Sequence, residues 1–155
     1  KIDEDDMTTF DILINPNPIL RQKTTPVTTF DSHLVTLIQN MFETMDSQKG
    51  IGLAAPQVGI LDSVLVVGFK KNRFCLINPK IVESSGSEWG EEGCLSIPDV
   101  RLDVKRATFI KVMAHDMDGN GIEIEADGFV ARIIQHEMDH LEGVLIIDKG
   151  IKIEE

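Results

Sequence analysis

Gln135-His136-Glu137-Met138-Asp139-His140, near the end of a 155-residue chain, sets two histidines four residues apart, with a glutamate directly after the first. On a helix that spacing brings both imidazoles to one face, near enough to bind one metal ion, and the pattern is H-E-x-x-H. The glutamate then stands beside an open coordination position, where a water would be activated. The flanks predict the helix. Asp127 is available as its N-cap and Gly143 as its stop signal. Phe129, Ile133, His136 and His140 recur at i, i+4, i+7 and i+11, which places the histidines on a stripe shared with core residues. The stretch predicts metal-assisted hydrolysis on a buried helix face.

Working outward, the sequence is short enough for a single domain spanning 1–155 with one core. Residues 1 to 27 read as mostly irregular, interrupted by Pro16, Pro18 and Pro26. From Phe30 to Ser47 the apolar positions Leu34, Leu37, Ile38, Met41, Phe42 and Met45 follow helical spacing, with Gly50 closing the element. Val64-Leu65-Val66-Val67 and Phe74 to Ile77 read as strands, and Arg101 to His115 carries alternating patches. Asp118-Gly119-Asn120-Gly121 is a turn, followed by the alternation Ile122-Glu123-Ile124-Glu125, so a hairpin is expected before the helix. A short apolar tail, Val144 to Ile147, ends the pattern. Strands joined by turns rather than by crossover helices predict an α+β fold, with antiparallel strands packed around a central metal-binding helix carrying HExxH.

The formal charge of −11 argues against direct nucleic-acid binding, which needs a basic surface. No run reaches the ~18 apolar residues of a membrane span. The chain opens at Lys1 rather than methionine, and nothing about a leader is read from that. Two cysteines are too few for a disulfide framework. Cys75 lies in an apolar strand pattern and reads as a buried core thiol. Cys94 lies in Gly90-Glu91-Glu92-Gly93-Cys94-Leu95-Ser96, a polar, glycine-containing stretch that lets the chain bend toward a site.

A catalytic zinc-type centre uses three protein ligands and leaves one position for water. His33 and His115 read as surface residues. Glu142 and Asp148 are downstream carboxylates, and Glu142 follows His140 too closely to converge easily on its metal. Cys94 has the softness that suits a transition metal. At the level of residue types a carboxylate or a thiolate remains open.

Three segments together carry a resemblance to a known family. Gly50-Ile51-Gly52-Leu53-Ala54-Ala55-Pro56-Gln57 matches G-x-G-L-A-A-x-Q. Glu92-Gly93-Cys94-Leu95-Ser96 matches E-G-C-L-S, and Gln135 to His140 matches Q-H-E-x-D-H. In this order and over the whole chain they resemble the peptide deformylases. The resemblance implies that Cys94, His136 and His140 hold the metal and that Glu137 is the acid and base. It also implies that the Gln57 amide and the Leu95 backbone N–H are oxyanion donors. The reaction implied is hydrolysis of the formyl group of N-formylmethionyl peptides, releasing formate.

Gly52 and Gly93 look like main-chain docking points for the peptide, and Ile51 and Ile133 like lining for the methionine side chain. Arg101 is a weaker substrate-binding candidate. Arg132 is expected to pack its stem while its charge stays in water, with no catalytic task. Asp139 is expected to orient a neighbour rather than bind metal. One thiolate and two imidazoles accept Fe²⁺, Zn²⁺, Ni²⁺ or Co²⁺, and the resemblance favours Fe²⁺ in cells.

Formylated nascent polypeptides are the implied partners, in a bacterial cytoplasm or an organelle of bacterial descent. The tail from Asp148 to Glu155 is short and not basic, so tail-mediated ribosome docking is expected to be weak. The nearest rival is a general zinc peptidase taking its third ligand from a carboxylate or histidine. A non-catalytic binding protein of the same fold is the rival from another class.

Overall fold

The computed structural model describes residues 9–153; the reading of residues 1–8 and the end of the tail at 154–155 lie outside it. A five-stranded antiparallel sheet in the order β1-β2-β3-β6-β7 forms the larger body. Its strands are β1 (Gly52–Ala54), β2 (Val64–Phe69), β3 (Asn72–Ser85), β6 (Phe109–His115) and β7 (Gly121–Asp127). Between β3 and β6 the chain leaves this sheet to make a hairpin of β4 (Glu88–Cys94) and β5 (Ile97–Arg106). The short β8 (Ile151–Lys152) adds to β5, completing a second, three-stranded sheet. Within the described part of the tail, Ile151 and Lys152 are therefore paired backbone.

Helix α1 (Ser32–Ser47) covers one face of the larger sheet. Leu34, Leu37, Ile38, Met41 and Met45 pack against Leu53, Val64, Val66 and Ile77. Its Asp31 cap accepts from the backbone N–H groups of His33 and Leu34. Helix α2 (Gly128–Leu141) covers the opposite face, where Ala131, Ile134 and Leu141 meet Leu65, Val67 and Leu76. With a helix on each face, β2 is apolar at Val64, Leu65, Val66 and Val67 in succession, and none of the four is exposed. A third cluster of Leu20, Ile97, Val104, Leu145 and Ile146 seals the smaller sheet beneath the N-terminal segment and α3 (Ile146–Lys149).

The expected α+β fold is the one observed, with three local differences. The patches from Arg101 to His115 belong to two strands in different sheets, because the chain changes sheet at Ala107 and Thr108. The polar, glycine-containing stretch that ends in Cys94 is paired strand, with a register shift between Gly93 and Cys94. Asp127 occupies the cap position of α2, but its side chain makes no capping hydrogen bond.

Both long helices end in a paired-carbonyl turn. At α1 the left-handed residue is Lys49 (φ 56°), and the Gly50 N–H reaches the Met45 carbonyl. At α2 it is Gly143 (φ 75°), with Val144 N–H bonded to the Asp139 carbonyl. A Cβ at Gly143 would lie 2.5 Å from the Arg21 carbonyl oxygen. Gly143→Ala therefore combines a disfavoured φ with a backbone clash. It is expected to cost about 2–3 kcal/mol and to lower the midpoint of thermal unfolding by roughly 5–10 °C. Gly121→Ala, where an added Cβ meets nothing within 4 Å, is the control. Equal midpoints for the two variants would refute the clash.

Candidate metal centre

Helix α2 presents His136 and His140 one turn apart, with ring centroids 5.1 Å from each other. Cys94 reaches them from the end of β4, its Sγ 3.4 Å from His140 Nε2. One ligand atom from each of the three residues lies within 4.8 Å of the others. A thiolate and two imidazoles gathered this closely are a donor set that fits a divalent transition ion. The rival carboxylates are engaged elsewhere, Glu142 with Lys23 and Asp148 with Arg21. His33 is exposed on α1, and His115 packs half-buried against Phe30 with Asn78 beside it.

The second ring nitrogen of His136 is also accounted for. Its Nδ1 lies 2.9 Å from Glu92 Oε1, the kind of carboxylate partner that would orient a metal-binding histidine. Burial alone would push the Glu92 carboxyl up, but hydrogen bonds from Arg106 and His136 hold it well below the usual carboxylate range. Burial likewise opposes a charge on His136. The neighbouring Glu137, Cys94 and Glu92 outweigh it and push the ring up to about 10 in the absence of a cation. His140, fully enclosed and beside His136 and Arg106, is held well below the ordinary histidine range. An ion held here would compete with the proton on His136.

Glu137 is buried, its Oε1 has no hydrogen-bond partner among the described residues, and burial pushes it up to about 7. Gly52, on edge strand β1, faces it directly: a Cβ there would stand 2.6 Å from Glu137 Oε2 and 2.9 Å from Ile133 Cγ2. The Gln57 side chain is oriented at both ends. Its Oε1 accepts from Ala54 N–H at 3.0 Å, while Nε2 donates to Ser96 Oγ at 3.2 Å and points toward Cys94 Sγ at 3.8 Å. The donor end of the amide is thus turned toward the clustered donors.

These groups line a cleft of about 510 Å³ between the edge strands β1 and β4. The polypeptide deformylase family model matches residues 9–155 of this chain. The peptide deformylase of Heliobacterium modesticaldum is 46% identical over 143 residues, covering 92% of this chain and 95% of that protein. The crystal structure of peptide deformylase from Thermotoga maritima superposes with a TM-score of 0.90 at 43% identity, covering 92% of this chain and 97% of that one. The chain belongs to the polypeptide deformylase family. A Met-Ala-Ser-bound peptide deformylase from Acinetobacter baumannii, 35% identical, superposes with a TM-score of 0.89 over 92% of this chain and 99% of its own.

As a member of the deformylase family the chain is a metallohydrolase, and the cleft holds the residues expected of it. Ile51, Gly52, Gln57, Gly93, Cys94, Leu95, Arg101, Ile133, His136 and Glu137 all border it, and His140 completes the ligand cluster behind. Ile51 is 39% exposed at the mouth, whereas Ile133 also belongs to the core beneath α2. Arg101 is exposed and paired with Glu91. Cys75 is half-buried against the α1 cluster, and burial raises its thiol.

Two expectations for this deformylase-family helix are corrected. Phe129 is not a core residue; it is 45% exposed in the lining of the cleft, with its ring tilted against Phe69, in the first turn of α2. Arg132 does not leave its charge in water. It is buried, with its guanidinium bonded to Glu92 and to three main-chain carbonyls of the β4–β5 hairpin. Asp139 lies outside the donor cluster and accepts from Lys149 and from Arg106, the neighbour that holds Glu92.

The residues missing from the sequence reading are Glu92, Arg106 and Ser96 as partners. A signal for Glu92 existed: on a strand it shares a face with Cys94, two residues on, as Arg132 shares a helix face with His136.

Proposed function

We propose that this chain removes the formyl group from N-formylmethionyl peptides by hydrolysis, releasing formate. The observation that carries the reading is Cys94, His136 and His140 gathered within 4.8 Å beside the buried Glu137. A divalent ion held by those three residues would polarise the carbonyl and make water a nucleophile at neutral pH. Fe²⁺ is the ion we favour in cells, with Zn²⁺, Ni²⁺ or Co²⁺ able to occupy the same donors.

Glu137 accepts a proton from the attacking water and returns it to the departing amine, a role suited to a group poised near neutrality. Gln57 Nε2, turned toward the ligands by Ala54 and Ser96, and the Leu95 backbone N–H donate to the carbonyl oxygen as it gains charge. The peptide main chain lies between β1 and β4, adding along Gly52 and Gly93, where missing side chains permit close approach. Ile51 and Ile133 offer apolar contact to the methionine side chain, and Arg101 stands where the chain leaves the cleft. The Met-Ala-Ser seen in the Acinetobacter baumannii relative is a peptide of the kind this reaction releases.

We read residues 1–155 as one catalytic domain acting on formylated nascent chains, in a bacterial cytoplasm or an organelle of bacterial descent. Among the described residues no helix is long and apolar enough to cross a membrane. The test is formate release from formyl-Met-Ala by anaerobically prepared protein, with acetyl-Met-Ala as the control. Robust turnover of the formyl peptide and little of the acetyl peptide is the expected result. Equal cleavage of internal peptide bonds would return the chain to the general peptidases.

A further inference from the structure

Arg132 of α2 serves neither the ligand set nor the proton transfer, yet it is 6% exposed and hydrogen-bonded through both Nη atoms. Its Nη1 donates to Glu92 Oε2 at 2.7 Å and to the Val104 carbonyl at 2.8 Å. Its Nη2 donates to the Glu88 carbonyl at 2.9 Å. The guanidinium lies against Gly90, where a Cβ would come within 2.8 Å of Cζ. Any side chain at position 90 would therefore displace it.

Glu92 is saturated as a result. Oε2 accepts from Arg106 Nε and Arg132 Nη1, and Oε1 accepts from Arg106 Nη2 while facing His136 Nδ1. A carboxylate offers about four lone-pair sites, and all four are taken. It cannot rotate without breaking several charge-assisted bonds at once. An acceptor held in this way requires His136 Nδ1 to carry its hydrogen, which leaves Nε2 as the nitrogen available to a metal.

The same contacts also join the two halves of the centre. Arg132 sits one turn before His136 on α2, and Glu92 sits two residues before Cys94 on β4. We propose that Arg132 is a positioning residue of the metal centre, pinning Glu92 and the β4–β5 hairpin so that His136 and Cys94 are presented at one fixed separation. This rests on the reading of Cys94, His136 and His140 as the ligands.

The full-length chain loaded with Co²⁺ tests both layers. In the wild type, a thiolate-to-cobalt charge-transfer band that disappears in Cys94→Ala supports the ligand set; its absence in the wild type overturns that underlying reading. With the band present, Arg132→Met is expected to weaken Co²⁺ binding, measured by chelator competition, by about 10–100-fold and to shift the ligand-field bands. Glu92→Gln should act in the same direction, and the double variant should lose little more than either single one, since both break one linkage. Arg132→Lys, keeping a charge but unable to reach all its acceptors, should fall between Arg132→Met and the wild type. If Arg132→Met does not fold, Arg132→Lys is compared with Glu92→Gln in the same way. A lowered unfolding midpoint with unchanged Co²⁺ affinity and spectrum would mean that Arg132 is only structural, and fully additive losses would mean that it does not act through Glu92.

Discussion

Glu137→Gln is expected to lower kcat for formate release by about 10²- to 10⁴-fold, the usual worth of a positioned acid–base group, with metal content unchanged. The substitution keeps the size and shape of a buried side chain whose Oε2 lies close against Gly52. An amide in that position no longer accepts the water's proton, nor does it supply one to the amine that leaves. Because Glu137 is not among the three clustered donors, ion binding should survive. The variant should therefore separate two functions that share one helical turn. The measurements are steady-state kinetics on formyl-Met-Ala and elemental analysis of the same preparation. KM should change far less than kcat if the residue acts in the chemical step. Retention of more than a tenth of wild-type kcat would remove Glu137 from the mechanism.

Cys94→Ala should have the opposite signature, with the ion and the activity lost together. Two imidazoles alone make a poor catalytic site, since such centres hold their ion through three protein ligands. The carboxylates weighed as rival ligands, and Glu92, are engaged elsewhere. Glu142 is turned outward to Lys23, Asp148 is taken by Arg21 and the Leu145 N–H, and Glu92 is saturated by two arginines and His136. The fold should survive, because Cys94 is only half-buried at the end of β4 and the strand stays paired with β5. Elemental analysis after anaerobic purification is expected to fall from about one ion per chain to near none. A full complement of bound metal in Cys94→Ala would return the third ligand to a carboxylate, and with it the peptidase reading.

The parts of this molecule that were legible in its sequence were those governed by local periodicity. The α1 stripe, the apolar run of β2, the turn at Asp118 to Gly121 and the stop at Gly143 each follow from rules reaching over a few residues. The family was legible for a different reason: three short motifs, each weak alone, occur together and in order, and they include the three donors that the fold gathers. What stayed hidden depends on contacts across the chain. Nothing adjacent to Arg132 announces that its charge is buried; the carbonyls and carboxylate that receive it come from residues 88 to 104. Phe129 fits the helical stripe by spacing, and its place in the lining of the open cleft leaves it in solvent. The change of sheet at Ala107 and Thr108 is invisible to alternation, because strands of both sheets alternate alike.

The separation of the ligands along the chain has a thermodynamic side. Cys94 belongs to an excursion between β3 and β6, and His140 follows it by 46 residues, on a helix packed against the other sheet. An ion held between them is a cross-link that the folded chain can form and the unfolded chain largely cannot. By linkage it stabilises the native state by about 2.7 kcal/mol when present at a hundred times its dissociation constant. Occupancy thus sets two quantities together, the fraction of molecules able to turn over substrate and the free energy keeping them folded. A molecule that loses its ion loses part of its hold on the native state with it.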